Sequence, residues 1–405
     1  MTILIELNQF RKPGLGGSRF TRALEYARAK NSSSHPIISW IEAAGINKPT
    51  LIFDMSVIRE RMLWLAALTK SFSATPLLAV KSCTDNAFLH VANNYLGGFD
   101  VSNLTEYLAL PADLQDRLVS VTSPAALENQ DSFRGKGNEL IITVDSQLQL
   151  DRHLAQAQPS EYLLRVQGSS LLEAAKPADP AYYPITRFGF TVDEVVRLLK
   201  APWMKNNLPV GFQVHHGSET NKLSTYKTII QGLVRLAGLL EHSANYINLG
   251  GGWHCLSQQE FSDVLCDARK YFPEPCSILL EPGRWYAKSA GFAVGSIVNI
   301  SRAGEIVRCT LDLSAKSHLR WSNPKLLHMF EPQHDRKCVV QFYGPSCYES
   351  DLIGKYYLPY STDVLKDSGL SYGKKVVFSN VSTYSREWNT SFNGVPLADV
   401  EWINI

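Results

Sequence analysis

From Thr50 onward, short apolar runs alternate with longer segments of helical periodicity. This alternation is typical of βα units that build a parallel sheet. The candidate strands are residues 77–81, 99–102, 118–122, 140–144, 162–166, 210–215, 246–249 and 277–281. Eight strands separated by helices predict an α/β protein with a (β/α)8 barrel, whose functional residues gather at the carboxyl ends of the strands.

After Gly291 the pattern changes to β-rich pieces separated by turns, at residues 293–300, 305–312, 338–342 and 375–379. Such a pattern predicts an all-β domain. We therefore predict a barrel over residues 50–290 and a C-terminal β-domain over residues 291–405. Residues 1–49 form an N-terminal arm partly packed on the β-domain, and the apolar run at residues 51–54 leads in from that second domain.

Composition supports two domains, and the charge of the chain indicates which kinds of binding partner to expect. The chain has 405 residues, of which 45% are hydrophobic and 19% charged, as in ordinary globular proteins of two domains. The formal charge of +2 is small, and no run of Lys or Arg stands out. Neither nucleic acid nor an anionic membrane is therefore implied, and we expect a small-molecule substrate.

The first residues and the cysteines indicate a compartment. The N-terminal apolar stretch is short and contains Glu6 where a signal peptide has basic residues, so we expect a cytoplasmic protein. The seven cysteines are odd in number, scattered and without metal-ligand spacing. We expect reduced thiols and no metal.

Lys81 is the candidate that organises the barrel chemistry, because it ends the first apolar barrel strand. A lysine desolvated by apolar neighbours has a lowered pKa and can condense with an aldehyde. We interpret Lys81 as the anchor of pyridoxal 5'-phosphate. A solvated residue at a strand end is the alternative interpretation of the same lysine.

Other predicted strand ends also provide polar or glycine residues. These are Asp100 and Ser102 with Glu106 just beyond, then Arg165, His215, Gly250, Gly251, Gly252, Glu281, Gly283 and Arg284.

Each group has two interpretations when taken singly. Residues 250–252 are either a phosphate cradle of free backbone N–H groups or an ordinary loop. Glu281 either keeps a pyridine nitrogen protonated, which carbanion chemistry requires, or caps a helix. His215 either stacks on the cofactor ring or is structural, and Arg165 and Arg284 are alternatively rim salt bridges.

Several short motifs occur together and in one order. They are Ala79-Val80-Lys81, Gly98-Phe99-Asp100-Val101-Ser102, Thr186-Arg187-Phe188-Gly189, His216-Gly217-Ser218, Leu249-Gly250-Gly251-Gly252, Glu281-Pro282-Gly283-Arg284, Gly344-Pro345-Ser346-Cys347, and Tyr384 followed by Ser391-Phe392-Asn393-Gly394. Over residues 50–396 the chain thereby resembles the fold-type III pyridoxal-phosphate decarboxylases. That group acts on ornithine, diaminopimelate or carboxynorspermidine and shares its barrel with alanine racemase.

The resemblance implies a role for each matching residue. Lys81 condenses with the cofactor aldehyde, His215 stacks on the ring, and Glu281 pairs with the pyridinium nitrogen. The phosphate is surrounded by Ser218, Gly250, Gly251, Gly252, Gly283, Arg284 and Tyr384. The pocket near Lys81 is lined by Asp100, Glu106 and Arg165.

The resemblance also implies a homodimer with shared active sites. Cys347 matches the cysteine that protonates the reacting carbon in the neighbouring subunit. Tyr348 stands where ornithine and diaminopimelate decarboxylases have an acidic residue for the distal amino group of the substrate. Glu349 or Asp351 could replace it, and His318 is a further candidate for binding substrate.

We therefore expect a pyridoxal-phosphate-dependent lyase that decarboxylates an amino acid or amino-acid conjugate. The substrate classes are polyamine precursors, diamino acids, and siderophore or other secondary-metabolite precursors. An amino-acid racemase is one alternative, although Glu281 at the ring nitrogen favours decarboxylation. A catalytically inactive, decarboxylase-like binding protein is the other.

Overall fold

A computed structural model describes residues 35–125, 130–175, 186–216, 223–329, 338–358 and 370–405. The strands in these ranges are β1 (Thr50–Asp54), β2 (Ala74–Ala79), β3 (Gly98–Val101), β4 (Leu118–Thr122), β5 (Glu139–Val144), β6 (Glu161–Val166), β7 (Gly211–Val214), β8 (Tyr246–Asn248), β9 (Ser277–Leu280), β10 (Gly291–Ala303), β11 (Ile306–Leu311), β12 (Lys325–His328), β13 (Cys338–Tyr343), β14 (Leu352–Leu358), β15 (Lys375–Ser379) and β16 (Asp399–Ile403).

The α-helices in the same ranges lie mostly between the strands of the first half. They are α1 (Pro36–Ala43), α2 (Met55–Lys70), α3 (Asn86–Tyr95), α4 (Leu104–Ala109), α5 (Gln147–Leu154), α6 (Gly168–Ala175), α7 (Val192–Lys200), α8 (Leu223–Ala237), α9 (Gln258–Tyr271) and α10 (Tyr384–Glu387). Side chains cap several of them, as where Asp54 accepts the Ser56 N–H at the start of α2.

Strands β2 to β9 close into a barrel in chain order, and every neighbouring pair is parallel. Parallel strands of this kind are buried on both faces, which explains their nearly continuous apolar sequences. The barrel interior contains a cluster of Leu77, Leu118, Ile141, Leu163 and Leu279. Each predicted barrel strand overlaps one observed strand, although β2 ends at Ala79 and not at Lys81. The predicted fold class is confirmed.

The second sheet has the strand order β12-β15-β10-β11-β13-β14. Its long strand β10 pairs with β15 over residues 292–296 and with β11 over residues 297–303. Strand β1 joins this sheet rather than the barrel, antiparallel to β10 and parallel to β16. The predicted limits of arm, barrel and β-domain stay a prediction, and residues 1–34 of the arm lie outside the described residues.

Helix α1 covers one face of this sheet, because its apolar side chains Ile37, Ile38 and Ile41 cluster with Ile52 and Phe292. Strands β12, β14 and β16 were not predicted. Strand β12 has four residues and β16 has five, while β14 contains Gly354 and Lys355 within its apolar run. In the described part of the chain, no helix is both long enough and apolar enough to cross a membrane.

Candidate active site

Lys81 lies at the carboxyl end of the barrel, in the single turn Val80–Ser82 that directly follows β2. Its side chain is accessible to solvent, whereas Val80 and Ser82 on either side are buried. Tyr384, the first residue of α10, brings a phenol from the second sheet region to the same place, where it interacts electrostatically with Lys81. An accessible lysine deep among charged groups marks a pocket.

The charges around Lys81 determine its protonation. Desolvation lowers the pKa of Lys81, but Asp100, Tyr384 and Glu281 raise it by more, so that it lies above the ordinary value. The predicted lowering of this pKa by apolar neighbours is therefore wrong. The reason is that the carboxylates of Asp100 on β3 and Glu281 after β9 help to raise this pKa by more than desolvation lowers it.

Glu281 is buried, and two polar side chains from neighbouring strands hold it. Asn248 donates from Nδ2 to Glu281 Oε1 at 2.6 Å, and Gln213 donates from Nε2 to Oε2 at 3.4 Å. Burial raises the pKa of Glu281, and burial together with the nearby Glu281 raises the pKa of Asp100 well above its usual range. Two side-chain amides therefore fix the orientation of the buried Glu281 carboxyl group, and Lys81 and Arg165 are positive charges that act on it.

His215 follows β7 and is held as a neutral imidazole. Its Nδ1 accepts the backbone N–H of Gly251 at 3.0 Å. Desolvation, together with the nearby positive charges of Lys81 and Arg165, lowers the pKa of His215 to about 3. A ring that accepts at Nδ1 and stays uncharged presents a flat, apolar face to the pocket.

The loops after β8 and β9 lie so close to His215 and Tyr384 that their glycines could not carry side chains without a clash. Gly250 has φ +63° and Gly252 has φ +93°, which favour glycine. A Cβ on Gly251 would lie 2.9 Å from His215 Cε1, and one on Gly283 would lie 3.2 Å from the Tyr384 hydroxyl. Backbone surfaces without Cβ atoms are what a phosphate needs in order to approach the N–H groups.

The polar atoms in this region that are buried without a hydrogen-bond partner in the described part of the chain include Ser82 Oγ, Asp100 Oδ1, Gln213 Oε1 and Arg284 Nε. Arg284 also places its guanidinium carbon 5.9 Å from the Tyr384 ring. Buried polar groups are normally paired, so unpaired ones around a pocket indicate a missing ligand. The residues therefore fit pyridoxal phosphate. Lys81 is an amine that can condense with its aldehyde, Glu281 is an acid for its ring nitrogen, and the glycine-rich loops can hold its phosphate.

Arg165 and Glu106 lie in the same barrel end and are oriented by neighbours. Arg165 pairs with Asp145 at 3.2 Å between Nη1 and Oδ2, and Asp145 Oδ1 accepts the Gly189 N–H at 3.0 Å. Glu106 Oε2 accepts the Ser102 N–H at 2.8 Å. The Thr186–Gly189 motif thus helps to orient Arg165 through Asp145.

Cys347 lies in the loop between β13 and β14, with its side chain exposed. Its backbone N–H donates to Asn393 Oδ1 at 2.8 Å, so that loop is joined to the segment following α10. Tyr348 and Glu349 are also exposed. These three consecutive residues are exposed, and none of them is among the groups that shift the pKa of Lys81.

Asp351 and His318 are buried, and their polar atoms are used within the protein. Asp351 accepts hydrogen bonds from the Ser314 and Ser346 hydroxyls and from the Ala315 N–H. His318 Nδ1 accepts the Ser314 N–H at 3.1 Å, and its Nε2 lies 2.8 Å from the Pro396 carbonyl. The predicted substrate contacts of these two residues are corrected to structural roles, because burial leaves their polar groups no access to a substrate.

Sequence reasoning missed several residues that hold the pocket residues and the nearby loops in place. Gln213 and Asn248 were hidden in apolar strands, although a polar side chain in a buried strand signals a required partner. It also missed the contact between Glu387 and Thr84, whose N–H and hydroxyl donate to the carboxylate at 3.0 and 2.9 Å. Ser218 lies outside the described residues.

The fold and the pocket define a class of protein, and comparison with known proteins identifies it. Residues 55–288 match the family described as the pyridoxal-binding domain of pyridoxal-dependent decarboxylases. The chain belongs to this family, and the barrel is its pyridoxal-binding domain. The predicted family, enzyme class and cofactor are confirmed.

The relatives are distant. Carboxyaminopropylagmatine decarboxylase of Synechocystis sp. is 26% identical over 213 residues, which are 49% of this chain and 51% of that protein. Carboxynorspermidine/carboxyspermidine decarboxylase of Campylobacter jejuni is 22% identical over 88% of this chain and 92% of that protein. The arginine decarboxylase structure of Paramecium bursaria Chlorella virus, bound to agmatine, has a TM-score of 0.74 at 20% identity, covering 91% and 99% of the two chains.

Proposed function

We propose that the protein catalyses α-decarboxylation of an amino acid or amino-acid conjugate at the Lys81 pocket. The single observation that supports this most strongly is Glu281, a buried carboxylate held by Asn248 and Gln213. An acid at the ring nitrogen keeps that nitrogen protonated, and the protonated ring is the strong electron sink that decarboxylation requires.

Lys81 would hold the cofactor aldehyde, and His215 would lie against the ring face. The phosphate would be held by Gly250, Gly251, Gly252, Gly283, Arg284 and Tyr384, together with Ser218. When bound, pyridoxal phosphate supplies an electron-withdrawing ring that accepts the electron pair left at Cα as the bond to the carboxylate breaks.

The protein's own groups would control protonation and orientation around that event. Glu281 would keep a proton on the ring nitrogen, and neutral His215 would add no competing positive charge. After carbon dioxide has left, Cα must gain one proton in place of the lost carboxylate. The Cys347 thiol would donate that proton at Cα.

We further propose that Cys347 acts in a homodimer, on the Lys81 pocket of the second copy. Its exposed position in the β13–β14 loop supports this arrangement, because an exposed thiol is free to enter another subunit's pocket. The two curated relatives described above are decarboxylases of carboxyaminopropylagmatine and of carboxynorspermidine or carboxyspermidine, as their names state. A polyamine precursor is therefore one substrate class that we consider, and a diamino acid and a siderophore or other secondary-metabolite precursor are the others.

The experiment that tests the reaction is mass spectrometry of products formed in heavy water by the pyridoxal-phosphate-loaded enzyme. The panel would contain D- and L-amino acids, diamino acids, carboxynorspermidine and citrate-linked amino acids. We expect loss of carbon dioxide with one deuterium at Cα. Deuterium uptake with the carboxylate retained would instead establish a racemase, and an unchanged panel without a cofactor absorption band would favour a binding protein.

A further inference from the structure

Two hydrogen bonds join the end of helix α10 to the loop that follows Lys81. Glu387, the last residue of α10, accepts the Thr84 N–H at Oε1 over 3.0 Å and the Thr84 hydroxyl at Oε2 over 2.9 Å. Because both carboxylate oxygens are used, the loop and the helix are held in one relative orientation. We call Thr84 and Glu387 the clamp.

An ion pair beside the clamp joins the same two segments. Arg386 Nη2 lies 3.0 Å from Asp85 Oδ2, and Arg386 Nη1 lies 2.5 Å from Glu387 Oε1. These side chains are only 20–25% exposed, so solvent screens their charges less than at an open surface. Asp85 Oδ1 also accepts the Ala87 N–H at 2.9 Å, at the start of α3. The end of α10 is therefore attached to the barrel at two adjacent residues.

On each side, the clamp lies three residues beyond a residue of the pocket. Thr84 follows Lys81 by three positions, and the buried Cys83 separates it from the single turn that contains Lys81. Glu387 follows Tyr384 by three positions within α10, and residues three apart on a helix are neighbours on its surface. The clamp therefore limits how far Tyr384 can move from Lys81.

Tyr384 is the pocket residue whose position depends on the clamp. Its phenol lies beside the glycine loop after β9, where a Cβ on Gly283 would lie 3.2 Å from the hydroxyl oxygen. The segment before α10 is held by the second sheet region, because Ser382 donates its N–H to Ser322 Oγ at 2.8 Å. The clamp holds the other end of α10 against the barrel. Releasing that end alone would let the phenol turn away from the pocket.

We propose that Glu387 is a positioning residue that holds Tyr384 at the phosphate end of the cofactor. This inference rests on the proposed function, in which Tyr384 helps to hold the phosphate. Both oxygens of Glu387 are already hydrogen-bonded to Thr84 and Arg386, so we assign the carboxylate no direct contact with the cofactor. Its loss should weaken binding of the phosphate more than binding of the ring.

The test measures how tightly the full chain binds pyridoxal phosphate and pyridoxal, which differ only in the phosphate. Titrations followed by the absorption of the bound compound give the two Kd values. Glu387→Gln places an amino group where Thr84 donates, so the Kd of pyridoxal phosphate should rise about tenfold, the scale of one charge-assisted hydrogen bond. The Kd of pyridoxal should stay nearly unchanged.

A second substitution tests whether Glu387 acts through Tyr384. Tyr384→Phe removes the hydroxyl and should by itself raise the Kd of pyridoxal phosphate. Adding Glu387→Gln to Tyr384→Phe should raise this Kd little further, because the two changes remove the same contact. Full additivity of the two changes would overturn the inference.

Glu194 provides a matched control elsewhere in the barrel domain. At the start of α7 its Oε2 accepts the Thr191 N–H and the Thr191 hydroxyl, both at 2.8 Å. Glu194→Gln therefore disrupts the same kind of contact and should change the Kd of neither compound. Thr84→Ser keeps both donors of the clamp and should bind both compounds as the wild type does.

Two results with Glu387→Gln would contradict the positioning role. An equal rise in both Kd values would show general damage to the pocket. Unchanged Kd values with a lower free energy of unfolding in urea would show that the clamp is only a structural contact. If Glu387→Gln does not fold, Thr84→Val gives the same comparison, because it removes only the hydroxyl donor. Its Kd for pyridoxal phosphate should rise about threefold, again without a change for pyridoxal.

Cofactor binding separates this inference from the proposed reaction, because it is measured without any amino acid. A selective loss of pyridoxal phosphate binding in Glu387→Gln, in a protein that releases carbon dioxide from no compound, would overturn only the proposed decarboxylation. Release of carbon dioxide by the wild type, with equal losses of both compounds in the variant, would overturn only the role of Glu387.

Discussion

The Lys81 pocket and the Cys347 loop satisfy their polar groups in opposite ways. Around the pocket, Ser82 Oγ, Asp100 Oδ1 and Arg284 Nε are buried without partners in the described part of the chain. In the loop, Asp351 gathers hydroxyl and backbone donors into a closed network. The pocket therefore has a shape that a ligand completes, whereas the loop is held by protein donors, among them Ser314 and Ala315 of the segment after β11, and the Cys347 side chain is exposed.

The largest effect on activity should come from inactivating the Lys81 pocket in one subunit and the Cys347 loop in the other. Lys81→Ala should lose at least about 10³-fold in kcat because it removes the covalent anchor of the cofactor. Cys347→Ala should lose less, since it removes only the proton donor, by about 10²-fold. After subunit exchange, an equal mixture should recover about one quarter of wild-type activity, because half of the dimers would contain one intact site.

The measurement is carbon dioxide release before and after exchange, with exchange shown by native mass spectrometry of differently tagged subunits. Lys227→Ala, on the outer surface, is the control for the lysine substitution. Full exchange without recovery would contradict shared sites.

A smaller effect should follow from opening the loop network. Asp351→Asn replaces one acceptor oxygen by an amino group that would face hydroxyl and N–H donors. We expect a loss of about 2 kcal/mol in the free energy of unfolding, together with lower activity, because the Cys347 loop loses its anchor. Urea denaturation monitored by fluorescence measures the change in the free energy of unfolding.

The exposed turn residue Glu305 provides the control, and Glu305→Gln should leave the free energy of unfolding unchanged within about 0.5 kcal/mol. If Asp351→Asn were equally neutral, the loop would not depend on this network. The statement that hydrogen bonds to Asp351 hold the Cys347 loop would then be wrong.

The smallest effect should be a pH dependence of stability due to His318. Burial lowers the pKa of His318, so the folded protein keeps it neutral where the unfolded chain, with a pKa near 6.5, takes up a proton. The unfolded state then binds more protons, and stability is lost as the pH falls below about 6.5. Denaturation at pH 7.5 and 5.5 should show a smaller acid loss in His318→Asn than in wild type.

His90, exposed on α3, supplies the control variant His90→Asn, which should lose as much stability as wild type on acidification. An identical acid loss in His318→Asn would show that this imidazole does not contribute to it. The experiment uses the protein without added cofactor, so that protonation of the pocket ligand does not enter.

The barrel and most pocket residues could be predicted because their signals are local. Each buried parallel strand is an apolar run, and Lys81, His215 and Glu281 directly follow such runs, where a barrel concentrates its chemistry. The supporting residues could not be predicted in this way. Gln213 and Asn248 become relevant only when β7 and β8 bring them beside Glu281, which lies 68 and 33 residues away along the chain.

By itself the sequence determined the alternation of strands and helices, the polar or glycine residues at several strand ends and the family motifs. These depend on periodicity and on neighbours along the chain. Only the tertiary structure decided that β1 pairs with β10 and β16, that carboxylates raise the pKa of Lys81, and that Asp351 and His318 are buried. Those outcomes depend on contacts between distant residues, and electrostatic and burial energies follow distance in space rather than position in the chain.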